Sequence, residues 1–322
     1  MVAATRSGDA DPAGKAKALG TPRSASAIKN WTTFFNERAP LPVYVLLALG
    51  PCLSGFALAD SSLPLPVTSG QFSYWQTLAI VVAGQLLYLI TLRCMDDVKD
   101  YDKDVKVHPD RPLPRGLILY DELVNAIRLE IALLCVYAVV LWFVFSPLAG
   151  ATFGLQIVYL VLMYIEFGIG HWLDPRVFLY ALTHQASIYV GALHISAITN
   201  PDLIWDPRTY WLGTVALSGA FTYEVCRKLD PTLDPLKGTY RVVLGKWPTY
   251  AIVLFTVSLG VVSSHVMGLS YMLWPIQALL LVALTLHFVL PQRKSKHKLV
   301  EIISIFYVLL HIWSQYIHRK WY

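Results

Sequence analysis

Residues 74–104 read YWQTLAIVVAGQLLYLITLRCMDDVKDYDKD, an apolar stretch that runs directly into a series of aspartates. The apolar part, 74–93, is long enough to cross a lipid bilayer as a helix. The charged part, 96–104, carries five carboxylates in nine positions, and no Gly or Ser linker separates it from the apolar part. We therefore expect a membrane helix whose end presents a cluster of carboxylates at the membrane surface.

The composition extends this pattern to the whole chain. Of its 322 residues, 56% are hydrophobic and 15% are charged, which excludes an ordinary soluble protein of several domains. We predict an all-α, multi-pass membrane protein with a flexible tail over 1–40 and a membrane domain over 41–322. About nine transmembrane helices are expected, at 42–59, 74–93, 123–145, 149–168, 177–199, 209–224, 248–267, 271–290 and 299–317.

Lysine and arginine predict the orientation, because short cytoplasmic loops carry an excess of these residues. Nine crossings from a cytosolic N-terminus place 21 of the 26 Lys and Arg residues on the cytosolic side. The two long loops between spans, 94–122 and 225–247, are then also cytosolic. Orientation in the membrane accounts for the net charge of +5, so no nucleic-acid partner is indicated. The sequence indicates membrane lipid as a partner and no obligate protein partner.

The aspartates have the spacing of a metal site. On a helix, Asp97, Asp100 and Asp104 share one face, and Asp96 lies at its edge. Like charges so placed repel one another unless a cation binds them. Mg²⁺ suits such a site, since it takes one or two carboxylates and completes its shell with waters and substrate phosphates.

Several side chains near the long loops are candidates for phosphate binding, because Arg and Lys pair with phosphate oxygens. They are Arg111, Arg115, Arg227, Lys228, Asn125 and Arg128. The structural alternative is a solvated loop of alternating Lys and Asp, with Arg and Lys at helix ends reaching the lipid headgroups. Against it, the carboxylates keep one helical face. Glu224, three positions before Arg227, is also a carboxylate close to a span, where an unpaired charge is costly.

Residues 96–116, DDVKDYDKDVKVHPDRPLPRG, resemble the first Asp-rich motif of the UbiA superfamily of intramembrane prenyltransferases. That motif is written NDxxDxxxD and is followed by an arginine and an RPL-type turn. Asp96 takes the Asn position, while Asp97, Asp100 and Asp104 match the three aspartates. Nine spans and two long cytosolic loops also match this family, over nearly the whole chain. The resemblance implies a UbiA-like helical bundle with an active-site cavity that faces the cytosol.

The second motif departs from the family's pattern. Its usual form is DxxxD preceded by Tyr, whereas here Tyr223 is followed by Glu224 and, at the second carboxylate position, by Lys228. The lysine puts a cation that can hold diphosphate directly where a metal ligand is usual. Asp230 and Asp234 are the candidates for the missing carboxylate.

The resemblance implies the Mg²⁺-dependent ionisation of an allylic prenyl diphosphate in an apolar, aromatic chamber between spans. The implied metal ligands are Asp96, Asp97, Asp100, Asp104 and Glu224. The implied catalytic residues are Asp97, Asp100, Asp104, Glu224 and Tyr223. The phosphate-binding candidates above would hold the leaving group.

Two fates of the allylic cation are possible in this chemistry. The chain's own double bonds attack it in a terpene cyclase, and an aromatic or other lipophilic acceptor attacks it in a prenyltransferase. The altered second motif favours divergence from the usual transferases, so we expect cyclisation, with prenyl transfer as the alternative. A second alternative, from another class, is a nine-span transporter or structural membrane protein that works through midplane residues and whose Asp-rich loop is merely solvated.

Overall fold

The computed structural model describes residues 22–60, 72–230, 239–290 and 294–321, and these residues are helical without strands. Asp234, one candidate for the missing carboxylate, lies outside them. The helices of the first half are α1 (Ala27–Arg38), α2 (Leu41–Asp60), α3 (Tyr74–Lys99), α4 (Tyr101–Val107), α5 (Tyr120–Val144), α6 (Pro147–Tyr164), α7 (Gly170–Leu173), α8 (Val177–Gln185) and α9 (Ser187–Thr199). Those of the second half are α10 (Pro207–Cys226), α11 (Tyr240–Leu244), α12 (Lys246–Val266), α13 (Ser270–Val289) and α14 (Lys294–Trp321).

Each of the nine predicted stretches falls on helix. Within the described residues, seven helices are long and apolar enough to cross a membrane, namely α2, α3, α5, α6, α12, α13 and α14. The predicted stretch 177–199 is two helices, α8 and α9, which meet at Ala186. The stretch 209–224 lies in α10, which is less apolar because buried polar side chains such as Ser218 and Thr222 line it.

The seven apolar helices, together with α9 and α10, form a closed ring. In the described chain, each packs against the next in chain order, and α14 closes the ring by packing against α2. Contacts of α10 with α14 and of α2 with α9 cross the ring. One apolar core includes Phe34, Phe56 and Phe153 from the first half. Another includes Phe221 and Tyr307 from the second half. The space between these cores positions the site.

The prediction of a flexible tail over 1–40 is corrected by α1 for the described residues 22–40, while residues 1–21 lie outside the described residues. The side-chain oxygen of Ser26 caps this helix by accepting a hydrogen bond from the Lys29 N–H. Its apolar face carries Phe34, which is fully buried, and Phe35, which packs against the first core. Burial of this face offsets the conformational entropy that ordering the segment costs.

The Asp-rich segment was expected to continue the preceding helix without a break. Instead, α3 ends at Lys99 and α4 begins at Tyr101, with Asp100 between them. The N–H of Asp100 still donates to Asp96 O at 2.9 Å, and that of Asp104 donates to Asp100 O at 2.8 Å. These bonds keep Asp100 and Asp104 in helical register with α3 across the junction. Pro109, Pro112 and Pro114 follow in turns, as predicted.

The α5–α6 pair offers a test of the packing. A Cβ at Gly150 would lie 2.8 Å from the Ala138 carbonyl oxygen and 2.8 Å from Trp142 Cα, which are backbone atoms that cannot rotate away. We expect Gly150→Ala to lower the free energy of unfolding in detergent by about 1–3 kcal/mol.

Gly154, one turn later, is the matched control. A Cβ there has no described neighbour within 4 Å. Gly154→Ala is therefore expected to be neutral or stabilising by up to about 1 kcal/mol, the helix-propensity difference. Equal effects of the two substitutions would contradict the close packing of α5 and α6.

Candidate active site

A cavity of about 270 Å³ lies within the ring, between α2, α3, α6, α9, α10 and α14. Its wall is predominantly aliphatic. Tyr88 and His311 carry the rings that line it in the described part of the chain. The expected apolar chamber is therefore present, whereas the expected aromatic lining is reduced to Tyr88 and an imidazole. Polar groups also reach the wall, including Gln85 and Gln156, whose side-chain amides exchange two hydrogen bonds of 3.0 Å.

Two helices that line the cavity carry carboxylates just beyond it. On α3, Leu92 is the last lining residue, and Asp96 lies one helical turn further on. On α10, Ala220 is the last lining residue, and Glu224 again lies one turn further on. Asp100 continues the α3 row by another turn. These carboxylates mark the charged end of the cavity, which we call the mouth.

Asp96 faces a basic side chain and a neighbouring helix at the mouth. The Lys99 Nζ lies 3.8 Å from an Asp96 carboxylate oxygen and donates a 2.8 Å hydrogen bond to the Tyr180 hydroxyl of α8. The Tyr180 ring stacks on His184 with centroids 4.2 Å apart. Asp96 keeps 39% of its side chain exposed, so its carboxylate is accessible from the mouth.

Asp97, one residue further, has a different environment. Its side chain is 4% exposed, and the Arg38 Nε donates to its two oxygens at 3.1 and 3.0 Å. A guanidinium nitrogen of Arg38 forms a second, shorter contact with it. Arg93, one turn earlier on α3, donates at 2.6 Å. Two arginines thus neutralise the buried Asp97 carboxylate.

The remaining residues of the first motif are also paired. Asp104 is buried and accepts a 2.5 Å hydrogen bond from Arg111. The Arg115 guanidinium is buried, makes two bonds of 2.7 and 2.8 Å to Glu37 of α1, and donates to the Asp110 carbonyl at 2.5 Å. Arg115 therefore holds the proline-rich turn against α1, where the sequence predicted a diphosphate ligand.

The second motif forms a compact cluster. Glu224 accepts from Arg227 Nε at 2.6 Å and lies 2.5 Å from Lys228 Nζ. The Lys228 ammonium also lies 5.8 Å from the centre of the Tyr240 ring. Burial raises the pKa of the Tyr240 phenol, and the charge of Glu224 adds to this shift. Arg227 is close enough to Arg93 of α3 for their charges to repel.

Other predicted site residues lie apart from these clusters. Asn125 and Arg128 are exposed on α5 and bond to each other at 3.0 Å. Tyr223 is half-buried beside Glu224 on α10. Asp230, the remaining candidate for the missing carboxylate, is half-buried and has interactions of its own.

The structure reduces the number of carboxylates that are available for the predicted magnesium site. The described residues contain no group of three or more His, Cys, Asp or Glu side chains that could hold a metal ion. Asp96 and Asp100 remain suitable, because Asp96 has only the 3.8 Å contact with Lys99, and Asp100 makes no side-chain ion pair in the described chain. Two carboxylates fit Mg²⁺ when phosphate oxygens and water complete its shell. The donor chemistry at the mouth therefore fits Mg²⁺ bound together with a diphosphate.

A strained turn supports the α8 side of the mouth. Glu166 and Phe167 have φ angles of 52° and 55°, a left-handed conformation that is uncommon outside glycine. Phe167 packs edge-on against His184, with centroids 5.7 Å apart. The Tyr180 hydroxyl lies 3.4 Å from a Glu166 carboxylate oxygen. The turn thus buttresses the Tyr180–His184 stack that holds Lys99.

No role at the site was predicted from the sequence for Arg38, Arg93 or Lys99, although each of them contacts a residue there. The four-residue spacing of Arg93 and Asp97 is a recognisable ion-pair signal on a helix. Arg38 is separated from Asp97 by 59 residues, and no local pattern indicates their pairing. Lys99 depends on a tyrosine that only the packing of α8 brings to it.

The chain is similar to known proteins in both sequence and fold. The model of the UbiA prenyltransferase family matches residues 48–310. No curated protein matches the sequence. A solved structure of a digeranylgeranylglyceryl phosphate synthase in membranes is 15% identical, with a TM-score of 0.57 over 90% of this chain and 99% of that chain. This likeness shows a shared fold.

The Lys99–Tyr180 contact can be tested by stability. A hydrogen bond to a charged group contributes about 1.5–3 kcal/mol, against about 0.5–1.5 kcal/mol for a neutral one. We expect Tyr180→Phe to destabilise the protein more than Tyr210→Phe, which removes a 2.9 Å bond to the Ile204 carbonyl. Denaturant unfolding in detergent measures both. A smaller loss for Tyr180→Phe would argue against an ordered Lys99 at the mouth.

Proposed function

The chain belongs to the UbiA prenyltransferase family, and we propose that it ionises an allylic prenyl diphosphate at the mouth and transfers the prenyl group to a lipophilic acceptor. Two rows of residues support this proposal, one on each of two helices, and each row runs from the cavity wall to a carboxylate. Leu92 leads to Asp96 on α3, and Ala220 leads to Glu224 on α10. A prenyl chain fits the apolar wall while its diphosphate lies among the charges.

The mouth supplies both kinds of group that this chemistry needs. Lys99, Arg227 and Lys228 are the cations available to phosphate oxygens, and arginine binds them with two parallel hydrogen bonds. Asp96 and Asp100 would hold Mg²⁺, which when bound neutralises charge that builds up on the leaving diphosphate. Glu224 keeps Arg227 and Lys228 together, at 2.5–2.6 Å, until a phosphate competes for them.

The cavity governs the fate of the prenyl cation once diphosphate has left. The bond between the allylic carbon and its oxygen breaks, the electron pair leaves with diphosphate, and the aliphatic wall keeps water from the carbocation. An acceptor nucleophile then forms the new bond to the allylic carbon and loses a proton to the released diphosphate. The distribution of Lys and Arg supports a cytosolic position for the mouth.

The lining favours transfer over the cyclisation that the altered second motif led us to expect. Guiding a carbocation through ring closures relies on aromatic faces that stabilise positive charge. In this cavity, Tyr88 and His311 are the rings among the described lining residues. The paired Gln85 and Gln156 amides instead provide hydrogen-bonding groups for a polar part of an acceptor. Family membership also weighs against the transporter alternative.

An acceptor-dependence assay distinguishes the two fates. Membranes containing the protein are supplied with Mg²⁺ and geranyl, farnesyl or geranylgeranyl diphosphate, with and without a panel of aromatic and lipid acceptors. We expect prenylated acceptor by mass spectrometry and little hydrocarbon when acceptor is withheld. Cyclic hydrocarbon formed without acceptor would establish the cyclase and overturn transfer.

Neighbouring aspartates provide a matched pair of variants for the mouth. Asp96→Asn removes an accessible carboxylate, and we expect it to lower kcat/KM for the prenyl diphosphate by about 10–100-fold. Asp102→Asn alters an exposed aspartate of α4 and is expected to leave kcat/KM close to the wild-type value. Comparable losses in the two variants would mean that the aspartates act only through their summed charge.

A further inference from the structure

The N-terminal helix α1 lies outside the family-matched residues 48–310, yet it is attached to the Asp-rich loop. Three long-range ion pairs make this attachment. Arg23, just before the helix, contacts Glu122 at 2.6 and 2.8 Å. Glu37 contacts Arg115 at 2.7 and 2.8 Å, and Arg38 contacts Asp97. The contacts lie along 16 positions of sequence and join α1 to both ends of the loop.

The ion pairs at the end of α1 reach two different parts of the Asp-rich loop. Glu37 and Arg38 are adjacent, so the last turn of α1 reaches the end of α3 with one residue and the proline-rich turn with the other. The Arg38 and Asp97 side chains are 14% and 4% exposed, whereas in the second pair Arg115 is 4% and Glu37 is 38% exposed, so the Arg38–Asp97 pair is the most shielded from solvent. Water screens such pairs little. The buried Phe34 side chain packs α1 against the first core.

Asp97 also lies on a different side of α3 from the carboxylates of the mouth. The cavity row of this helix is Leu89, Leu92, Asp96 and Asp100. Asp97 is turned about 100° from Asp96 around the helix axis, toward Arg38. Its two oxygens accept the hydrogen bonds of Arg38 and Arg93 described above. Little lone-pair capacity remains for a metal ion.

We propose that α1 is a clasp for the active site and that Asp97 is a positioning residue, which anchors this clasp through Arg38 and does not bind the metal. The clasp fixes the end of α3, so that Asp96 and Asp100 stay directed toward the mouth. This inference rests on the proposed function for its metal–diphosphate ligand. The attachment of α1 is tested independently of that function.

Two readouts on the purified full-length protein in detergent separate the roles of adjacent aspartates. Trypsin cleavage at Arg23, Lys29 and Arg38 reports release of α1. Electron paramagnetic resonance of Mn²⁺, titrated with inorganic diphosphate present, reports metal binding. We expect Asp97→Asn to accelerate cleavage at least fivefold and to change Mn²⁺ affinity less than threefold. Asp96→Asn is expected to weaken Mn²⁺ binding by about tenfold or more, with cleavage unchanged.

The opposite pattern overturns the proposal. If Asp97→Asn weakens Mn²⁺ binding as much as Asp96→Asn does while α1 stays protected, Asp97 is a metal ligand and the clasp is not anchored there. If wild-type protein binds no Mn²⁺ with diphosphate, the proposed function fails at its metal site, and the cleavage readout still decides the clasp.

Further charge variants of α1 and its partners distinguish release of α1 from misfolding as the cause of increased cleavage. Lys29→Gln, on the exposed side of α1, is the control and is expected to match the wild-type protein in Mn²⁺ binding and in cleavage at Arg23 and Arg38. Glu37→Arg opposes Arg115 and is expected to release α1, whereas Glu37→Arg combined with Arg115→Glu is expected to restore protection. Failure of Arg38→Gln and of Glu37→Arg to increase cleavage at Arg23 and Lys29, the sites that both variants retain, would also refute the clasp.

Discussion

The structure depends on neutralising carboxylates where apolar helices end. Asp97, Asp104 and Glu224 are each within hydrogen-bonding distance of at least one Arg or Lys. Removing one partner of a buried ion pair typically costs about 3–5 kcal/mol, because a charge is left uncompensated away from water. This penalty constrains how the ends of α3 and α10 can be arranged. It also decides which carboxylates stay available to a ligand, since Asp96 and Asp100 are the least committed ones.

Hydropathy predicted the positions of the membrane helices well, because the length and apolar composition of a span follow directly from the thickness of a bilayer. All nine predicted stretches fall mainly on helix, although 149–168 extends past α6 into the turn at Glu166 and Phe167. The two that fall outside the seven strongly apolar helices have local reasons. The stretch 177–199 breaks at Ala186, and 209–224 carries polar side chains that bond to the neighbouring helix, as Ser218 does to the Thr256 carbonyl of α12. The tail prediction failed over α1, since its twelve residues gain stability from tertiary contacts that composition does not reveal.

The sequence predicted the helix end that carries the aspartates but not which of them share a face. Asp96 and Asp97 are adjacent in sequence, but one borders the cavity and the other faces Arg38, and the difference arises from how α3 is rotated in the ring. Arg115 likewise looked like a phosphate ligand from its position, whereas its partner, Glu37, lies 78 residues earlier. Such pairings depend on tertiary packing, which a single sequence does not encode in any short pattern.

In the proposed reaction, the polar groups of the cavity wall limit where a proton can be removed. Gln85 and Gln156 satisfy each other, and amide oxygens are very weak bases. The His311 Nδ1 lies 2.7 Å from the Tyr307 carbonyl, and its Nε2 lies 3.1 Å from the Gln277 amide nitrogen, so neither ring nitrogen is open to the cavity. The described lining residues include no carboxylate and no histidine besides His311, so in the proposed reaction the wall offers a prenyl cation no base. The proton that completes the proposed transfer is then lost at the mouth, and the nucleophilic atom of the acceptor lies at that end of the cavity.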